Sequence, residues 1–333
     1  MRSQQISPDI VVLEENLKGQ DFAIGDTHGS LDALEKTLLK LDPEDRLFIA
    51  GDLADRGPHS QEIYDRIIQI NKDREDQGLS KQIYVVEGNH ENMLVEYVIA
   101  QEQLSSANEY DITPEKRDEY MNEFELRRSH IISKNIGGKW IDDLNDKNPA
   151  KLAEIASFAQ SLPTIIHVKG KKPFNVVHAS LPFSYKELLT RINKNNLMLS
   201  ESEKIYSMWA RAVGGEITII PFEASPWDAI TYCGHTICGG VREQGNYVNL
   251  DIGTYFSHHT CLVAHNSQQC DIVNAEVPLD DSATDDERLR FNYIMTRNLS
   301  ASIKIANQIK LFFSNIELRR VSTAKPSYLS GKL

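Results

Sequence analysis

The sequence predicts an α/β chain whose short buried strands end on residues able to bind a metal. Three observations carry the prediction. Five apolar runs stop on such a residue: Phe22-Ala23-Ile24-Gly25-Asp26, Leu47-Phe48-Ile49-Ala50-Gly51-Asp52, Ile83-Tyr84-Val85-Val86-Glu87-Gly88-Asn89, Val176-Val177-His178 and Ile230-Thr231-Tyr232-Cys233-Gly234-His235. A short apolar run halted by glycine reads as a buried strand entering a tight loop. Strand-like and helix-like patterns alternate from residue 21 to about 100, and short β-like runs dominate 161–275, which predicts a second, mixed sheet. Between them, residues 92–160 are polar, acid-rich and helical in period.

Taken in order, residues 1–20 read as a leading strand or arm. Leu31, Leu34, Leu38 and Leu41 recur at helical spacing after Asp26, with Ser30 placed as N-cap. Ile63, Ile67 and Ile70 repeat the pattern after Asp52. In 92–160 the periodic positions are Met93 and Tyr97, Phe124 and Leu126, then Leu152, Ile155 and Phe158. Strand-like runs follow at 164–168, 174–178, 247–251 and 261–265. The reading is a catalytic domain over 1–275 with a helical insertion at 92–160, and a helical extension over 276–333. That extension opens on a capping box, Thr284 and Glu287, and carries an apolar stripe (Ile305, Ile309, Phe312, Ile316) flanked by Lys304, Lys310, Arg319 and Arg320.

Composition narrows the function. A net charge of −12 disfavours general nucleic-acid binding through a basic surface. No apolar stretch approaches the length of a membrane span, and the N-terminus lacks the apolar core of a secretory signal. Four cysteines without a CxxC pair suit a reducing compartment, so a cytoplasmic type of protein is expected.

Three polar clusters sit on the first three strand ends: Gly25-Asp26-Thr27-His28-Gly29, Gly51-Asp52-Leu53-Ala54-Asp55-Arg56-Gly57 and Gly88-Asn89-His90-Glu91. Ligands at the ends of several strands can converge at one sheet edge. Oxygen and imidazole donors without thiolates suit hard or borderline divalent ions. The pattern therefore points to a binuclear metal site.

These clusters, with Val177-His178-Ala179-Ser180 and Gly234-His235-Thr236, resemble the metallophosphoesterase superfamily and, within it, the bacterial and phage type of the phosphoprotein phosphatase family. The resemblance covers about residues 20–265. It implies a four-layer α/β/β/α sandwich with two mixed sheets and the metals at one sheet edge. By that resemblance Asp26 and His28 hold one ion, Asp52 bridges two, and Asn89, His178 and His235 hold the second. Manganese is the metal it implies first, while the donor types also admit iron, zinc or cobalt. Two cations about 3.5–4 Å apart acidify a shared water, which then attacks phosphorus in line.

His90 is assigned as the acid for the leaving oxygen, with Asp55 orienting it. Arg56 and Arg211 are assigned to the substrate phosphate, since a guanidinium fork binds two phosphate oxygens and stays charged. Arg211 lies in Met208-Trp209-Ala210-Arg211, similar to a Trp-x-Arg segment of bacterial members. Glu91 is read as a support of its loop, and Tyr255 either as a substrate contact or as an ordinary packed tyrosine. Ser180 stands where relatives commonly carry glycine.

The expected activity is a metal-dependent serine/threonine protein phosphatase with phosphorylated proteins as substrates, Asp55 separating it from the related diadenosine tetraphosphatases. The alternatives are a dinucleoside polyphosphatase or phosphotyrosine phosphatase on the same scaffold, or a catalytically silent phosphoprotein-binding module. The whole chain also resembles effector phosphatases that intracellular bacteria deliver into host cells. That would imply translocation and host phosphoprotein partners, with the basic C-terminal stripe available for peripheral membrane docking.

Overall fold

In the computed structural model, which describes residues 7–109, 113–133, 136–211, 229–238, 241–257, 259–265 and 269–274, strands and helices alternate from residue 21 as far as residue 89. The order is β1 (Ile10–Leu13), β2 (Asp21–Ile24), α1 (Leu31–Leu38), β3 (Arg46–Ile49), α2 (Ser60–Asp76) and β4 (Ile83–Val85). Four helices follow: α3 (Asn89–Glu109), α4 (Pro114–Ile131), α5 (Lys139–Lys147) and α6 (Pro149–Gln160). Then come β5 (Ile165–Val168), β6 (Phe174–Val177), α7 (Tyr185–Asn193), α8 (Glu201–Trp209), β7 (Ile230–Cys233), β8 (Arg242–Gln244), β9 (Tyr247–Asn249), α9 (Thr254–Ser257), β10 (His259–Ala264) and β11 (Gln269–Asn274).

Two mixed sheets result. One runs β11-β10-β2-β3-β4, with β2, β3 and β4 parallel and β10 antiparallel to β2. The other runs β1-β5-β6-β7-β9-β8, with β6, β7 and β9 parallel. The arm before residue 20 contributes β1, an edge strand paired with β5 from Ile10↔Ile165 to Leu13↔Val168.

Period-two alternation divides the apolar side chains among three core layers. On β3, Leu47 and Ile49 face a cluster built with Leu34, Ile63, Ile67, Leu94, Tyr97, Leu152 and Ile155 from the helices. Phe48, between them in sequence, faces the second sheet and packs with Phe174, Val176, Tyr232 and Val248. The far face of the second sheet buries Ile10, Ile165 and Val177 against Leu188 of α7 and Leu199. Helices, sheet, sheet and helices are thus four layers.

Helix starts follow local chemistry. Thr113 accepts from the backbone N–H of Lys116 with Pro114 at the first helical position, and Asn148 does the same for Lys151 ahead of Pro149. Ser200 and Glu203 close a reciprocal capping box on α8.

Several sequence expectations need correction. Ser30 precedes α1, but its side chain makes no capping bond; α1 also ends at Leu38, so Leu41 packs on the core from beyond the helix. Leu126 is 70% exposed, because the face of α4 that turns inward carries Phe124 and Ile131 instead. Residues 161–275 hold the seven strands β5–β11, as the sequence predicts, but α7 and α8 also lie among them, which the sequence reading does not place. The C-terminal extension, its Thr284–Glu287 box and its basic stripe lie outside the described residues. Among the described residues, no helix is long and apolar enough to cross a membrane.

Candidate metal centre

Five of the parallel or flanking strands deliver the polar clusters to one edge. Asp26 follows β2, Asp52 follows β3, Asn89 opens α3 after β4, His178 follows β6 and His235 follows β7. The loops are tight enough to push His28, Asp52, Asp55, Arg56 and His235 into left-handed backbone, with φ of 41°, 49°, 71°, 66° and 67°. Non-glycine residues held there mark sites where surrounding structure dictates the conformation. The first two loops are sewn together by His28 N–H to the Asp52 carbonyl at 2.9 Å and Gly29 N–H to the Leu53 carbonyl at 2.8 Å. Gly234 is required by proximity: a Cβ on it would stand 1.9 Å from Asp26 Oδ1.

One set of donors closes around a single point. Asn89 Oδ1 lies 2.9 Å from both His178 Nε2 and His235 Nδ1, those two nitrogens are 3.2 Å apart, and Asp52 Oδ1 lies 3.4 Å from His178 Nε2. Donors about 2.1 Å from one cation stand about 3 Å from one another, so the spacing fits an ion. Proton bookkeeping supports the same reading. His178 Nδ1 is 2.6 Å from the Ala50 carbonyl and so carries the hydrogen, which leaves a lone pair on Nε2 aimed at carbonyl and carboxylate oxygens. His235 Nε2 is buried with no hydrogen-bond partner, consistent with Nδ1 being the atom that must find one.

The second set is Asp26, His28 and Asp52. His28 Nδ1 donates to the Ala54 carbonyl at 2.9 Å, which leaves the lone pair on Nε2; Arg56 donates to it here, with Asp26 Oδ2 at 3.8 Å and Asp52 Oδ2 at 3.7 Å. Asp52 is shared by both sets. Burial pushes Asp26 well above the usual carboxylate range, and Asp251 and Asp52 push it further. Burial holds His28 and His235 down at about 3, so both imidazoles are neutral near pH 7. Crowded carboxylates and neutral imidazoles with lone pairs turned inward are what divalent cations relieve. The donors fit divalent cations.

Beside this cluster, His90 Nδ1 is 2.5 Å from Asp55 Oδ2, and its Nε2 is 3.7 Å from Asp52 Oδ2. That places His90 near His28 and Asp52, in a group with metal-ligand spacing. Its bond to Asp55 distinguishes it from the other histidines, whose outer nitrogens meet carbonyls or nothing. Burial alone would lower His90, but the Asp52 and Asp55 carboxylates outweigh burial and raise it. Arg56 bridges the imidazoles, bonding His28 Nε2 through one terminal nitrogen and approaching His90 Nε2 at 3.2 Å through the other. Tyr255 lies against both Arg56 and His28, with its ring 5.4 Å from the guanidinium carbon and 5.5 Å from the imidazole. Arg211 is exposed just beyond α8; its charge is felt by His235, as is the ring of Trp209 at 6.1 Å.

Glu91 is a fully buried strut. It accepts from the backbone N–H groups of Asp52, Leu53 and Gly88 at 2.8, 2.9 and 3.0 Å and from the Tyr64 hydroxyl at 2.9 Å. Three neighbours were not singled out from sequence: Tyr64, Asp251 and Trp140, whose indole N–H donates to Asp55 Oδ1 at 2.6 Å. No local motif marks them; Trp140 is separated from Asp55 by 85 positions. His167 and His265 are structural, bonding Asn175 and the Tyr232 hydroxyl respectively, and His258 lies outside the described residues.

Residues 22–260 match the calcineurin-like phosphoesterase family, well over half of the chain, and the chain belongs to that family. The asymmetrical bis(5'-nucleosyl)-tetraphosphatase PrpE of Halalkalibacterium halodurans is 38% identical over 87 residues, which span 23% of this chain and 32% of that protein. The match thus spans about a third of that relative's length. Among solved structures, a protein serine/threonine phosphatase from Saccharomyces cerevisiae superposes with a TM-score of 0.50 at 14% identity, over 83% of this chain and 86% of that one. The cold-active protein-tyrosine phosphatase of a psychrophilic Shewanella gives 0.44 at 16% identity, over 81% and 83%. At that identity the yeast structure attests the fold alone.

Proposed function

We propose that this calcineurin-like phosphoesterase is a binuclear metal-dependent protein phosphatase that removes phosphate from phosphoserine or phosphothreonine. The observation that carries the reading is the Asp55–His90 pair beside the donor cluster, 2.5 Å apart and 2% exposed on each side chain. Asp26, His28 and Asp52 would hold one divalent ion, and Asp52, Asn89, His178 and His235 the other. Once bound, such a pair acidifies a water held between the ions and offsets charge on the phosphoryl oxygens.

The chain's own residues supply the rest. Arg56 offers two N–H groups to phosphate oxygens, and Arg211 approaches from the α8 side of His235. His90 Nε2 faces Arg56 at 3.2 Å and so accepts in this structure; with Arg56 turned to the phosphate, Nε2 would carry the proton for the departing oxygen, while Asp55 keeps Nδ1–H fixed and favours the protonated ring. A serine or threonine alkoxide is a poor leaving group, so an acid with its own carboxylate partner is of most use on such a substrate.

A second reading has a specific observation behind it, the 38% identity to a bis(5'-nucleosyl)-tetraphosphatase over 87 residues. The two separate in one assay: phosphate release by the manganese-loaded protein from matched phosphoserine, phosphothreonine and phosphotyrosine peptides, with diadenosine tetraphosphate and a chelator control. Release from phosphoserine or phosphothreonine supports the protein phosphatase. Hydrolysis of the dinucleotide or of phosphotyrosine alone transfers the metal chemistry to that substrate, and bound metal without turnover leaves a phosphoprotein-binding module.

A further inference from the structure

We infer that Trp140 is a positioning residue for the reaction, holding Asp55 so that Asp55 in turn holds His90. The inference rests on the phosphoesterase reading above for its chemistry and on hydrogen-bond geometry for its structure. Asp55 presents two carboxylate oxygens, and each meets one donor. Oδ2 receives His90 Nδ1–H at 2.5 Å, and Oδ1 receives Trp140 Nε1–H at 2.6 Å. A carboxylate bound through one oxygen can still rotate about its Cβ–Cγ bond. Bound through both, from two elements far apart in sequence, it is fixed in plane and direction.

The chemical character of the donor matters as much as its place. Indole N–H is a donor only and carries no charge. A lysine or arginine at this position would form an ion pair with Asp55 and draw its charge away from the imidazole. Trp140 satisfies the buried oxygen and leaves the full negative charge facing His90. Asp55 has no slack elsewhere: its backbone N–H donates to Ser60 Oγ at 2.9 Å and its φ is 71°.

The indole is itself aimed by the fold. Trp140 is in the first turn of α5, whose Ile141 and Leu144 are buried in the helix-side core, and its ring lies 6.0 Å from that of Tyr64. The preceding Gly137, at φ 80°, lets the chain close onto the second motif, since a Cβ there would stand 2.5 Å from the Arg56 nitrogen. Gly137 and Gly138, just before α5, therefore abut Arg56 and Asp55 directly, and the helical region has a route to the acid.

The test is Trp140→Phe, which keeps an aromatic ring and removes the N–H. With manganese-loaded protein, kcat on a phosphoserine peptide should fall about tenfold or more, the worth of one hydrogen bond to a charged group. On nitrophenyl phosphate, whose leaving group departs without an acid, kcat should stay within about twofold, with KM unchanged on both. In an Asp55→Asn background the same substitution should add no further loss. In protein labelled with 15N-histidine, the His90 Nδ1–H resonance, identified by its absence in His90→Asn, should shift when Trp140 becomes Phe.

Equal losses on both substrates, or an independent loss in the Asp55→Asn background with the His90 resonance unmoved, would overturn the inference. If Trp140→Phe does not fold, the indole N–H resonance of Trp140 in wild type and in Asp55→Asn decides: a shift supports the contact and an unchanged resonance refutes it. Wild-type protein inert on both phosphates would sink the protein phosphatase reading and leave the His90 resonance to judge this one.

Discussion

The Tyr64 hydroxyl donates to Glu91 Oε1 at 2.9 Å inside a fully buried site, and through Glu91 it braces two catalytic loops at once. Burial, reinforced by Glu91 and Asp55, pushes the Tyr64 phenol well above its ordinary value, so it remains a donor at every working pH. Tyr64→Phe should therefore cost about 1–2 kcal/mol, lowering the melting temperature by several degrees. Glu91→Ala should cost more, about 3 kcal/mol, because three backbone N–H groups lose their acceptor together. Thermal unfolding of the metal-free proteins checks both; a Glu91→Ala protein as stable as wild type would remove the strut.

Asp52 is the residue shared by the two donor sets, and His235 belongs to one. Asp52→Asn should thus depress the occupancy of both ions, whereas His235→Ala should first empty one. Elemental analysis after manganese loading reads the ratio of metal to chain directly. Each variant should lose more than about a hundredfold in activity along with its metal. A ligand that binds only the folded state raises its melting temperature, so a chelator should lower the melting point of wild type more than that of Asp52→Asn. Full activity with intact metal content in either variant would contradict the assignment.

Much of this architecture could be read from residues in order. The strand ends at Asp26, Asp52, Asn89, His178 and His235 were visible because each closes a short apolar run, and parallel strands bring such ends to one edge. Phe48 and its neighbours show why the strand positions themselves were legible: alternation on β3 sorts Leu47 and Ile49 from Phe48 across two core layers. The helices α7 and α8 were hidden by their short length, although Ser200 and Glu203 spell a capping box that marks the start of α8. Trp140 was illegible for a different reason. Its partner lies 85 positions away, and only the fold of α5 against the core brings the indole to Asp55. Asp251 likewise meets Asp26 only because the two sheets pack together, Asp26 following β2 in one and Asp251 following β9 in the other, and no local pattern marks it.

His90→Asn should discriminate between substrates by their leaving groups. An asparagine can occupy the space but cannot deliver a proton, so phosphoserine turnover should fall about 10²–10⁴-fold. Nitrophenyl phosphate, which expels a stable anion, should lose far less. Steady-state kinetics on the two substrates with the same metal loading gives the comparison. Parallel losses would show that His90 serves phosphate binding or a metal instead.

Glu87 allows a test that touches no step of the chemistry. Burial pushes its carboxyl from 4.5 up to about 7, against the pull of Lys204 and with Glu91 and Asp9 adding to the rise. The sign follows from proton counting. With the folded value above the unfolded one, the native state binds more protons between about pH 4.5 and 7, so stability falls as pH climbs through that window. The full penalty, at most about 3 kcal/mol, applies above about pH 7 and vanishes below 4.5. Glu87→Gln resembles the protonated acid in shape and carries no charge at any pH. It should stabilise the metal-free protein at pH 8 and have little effect at pH 5, as read from urea midpoints at the two values. An equal change at both would mean that Glu87 is no more burdened in the folded chain than in water.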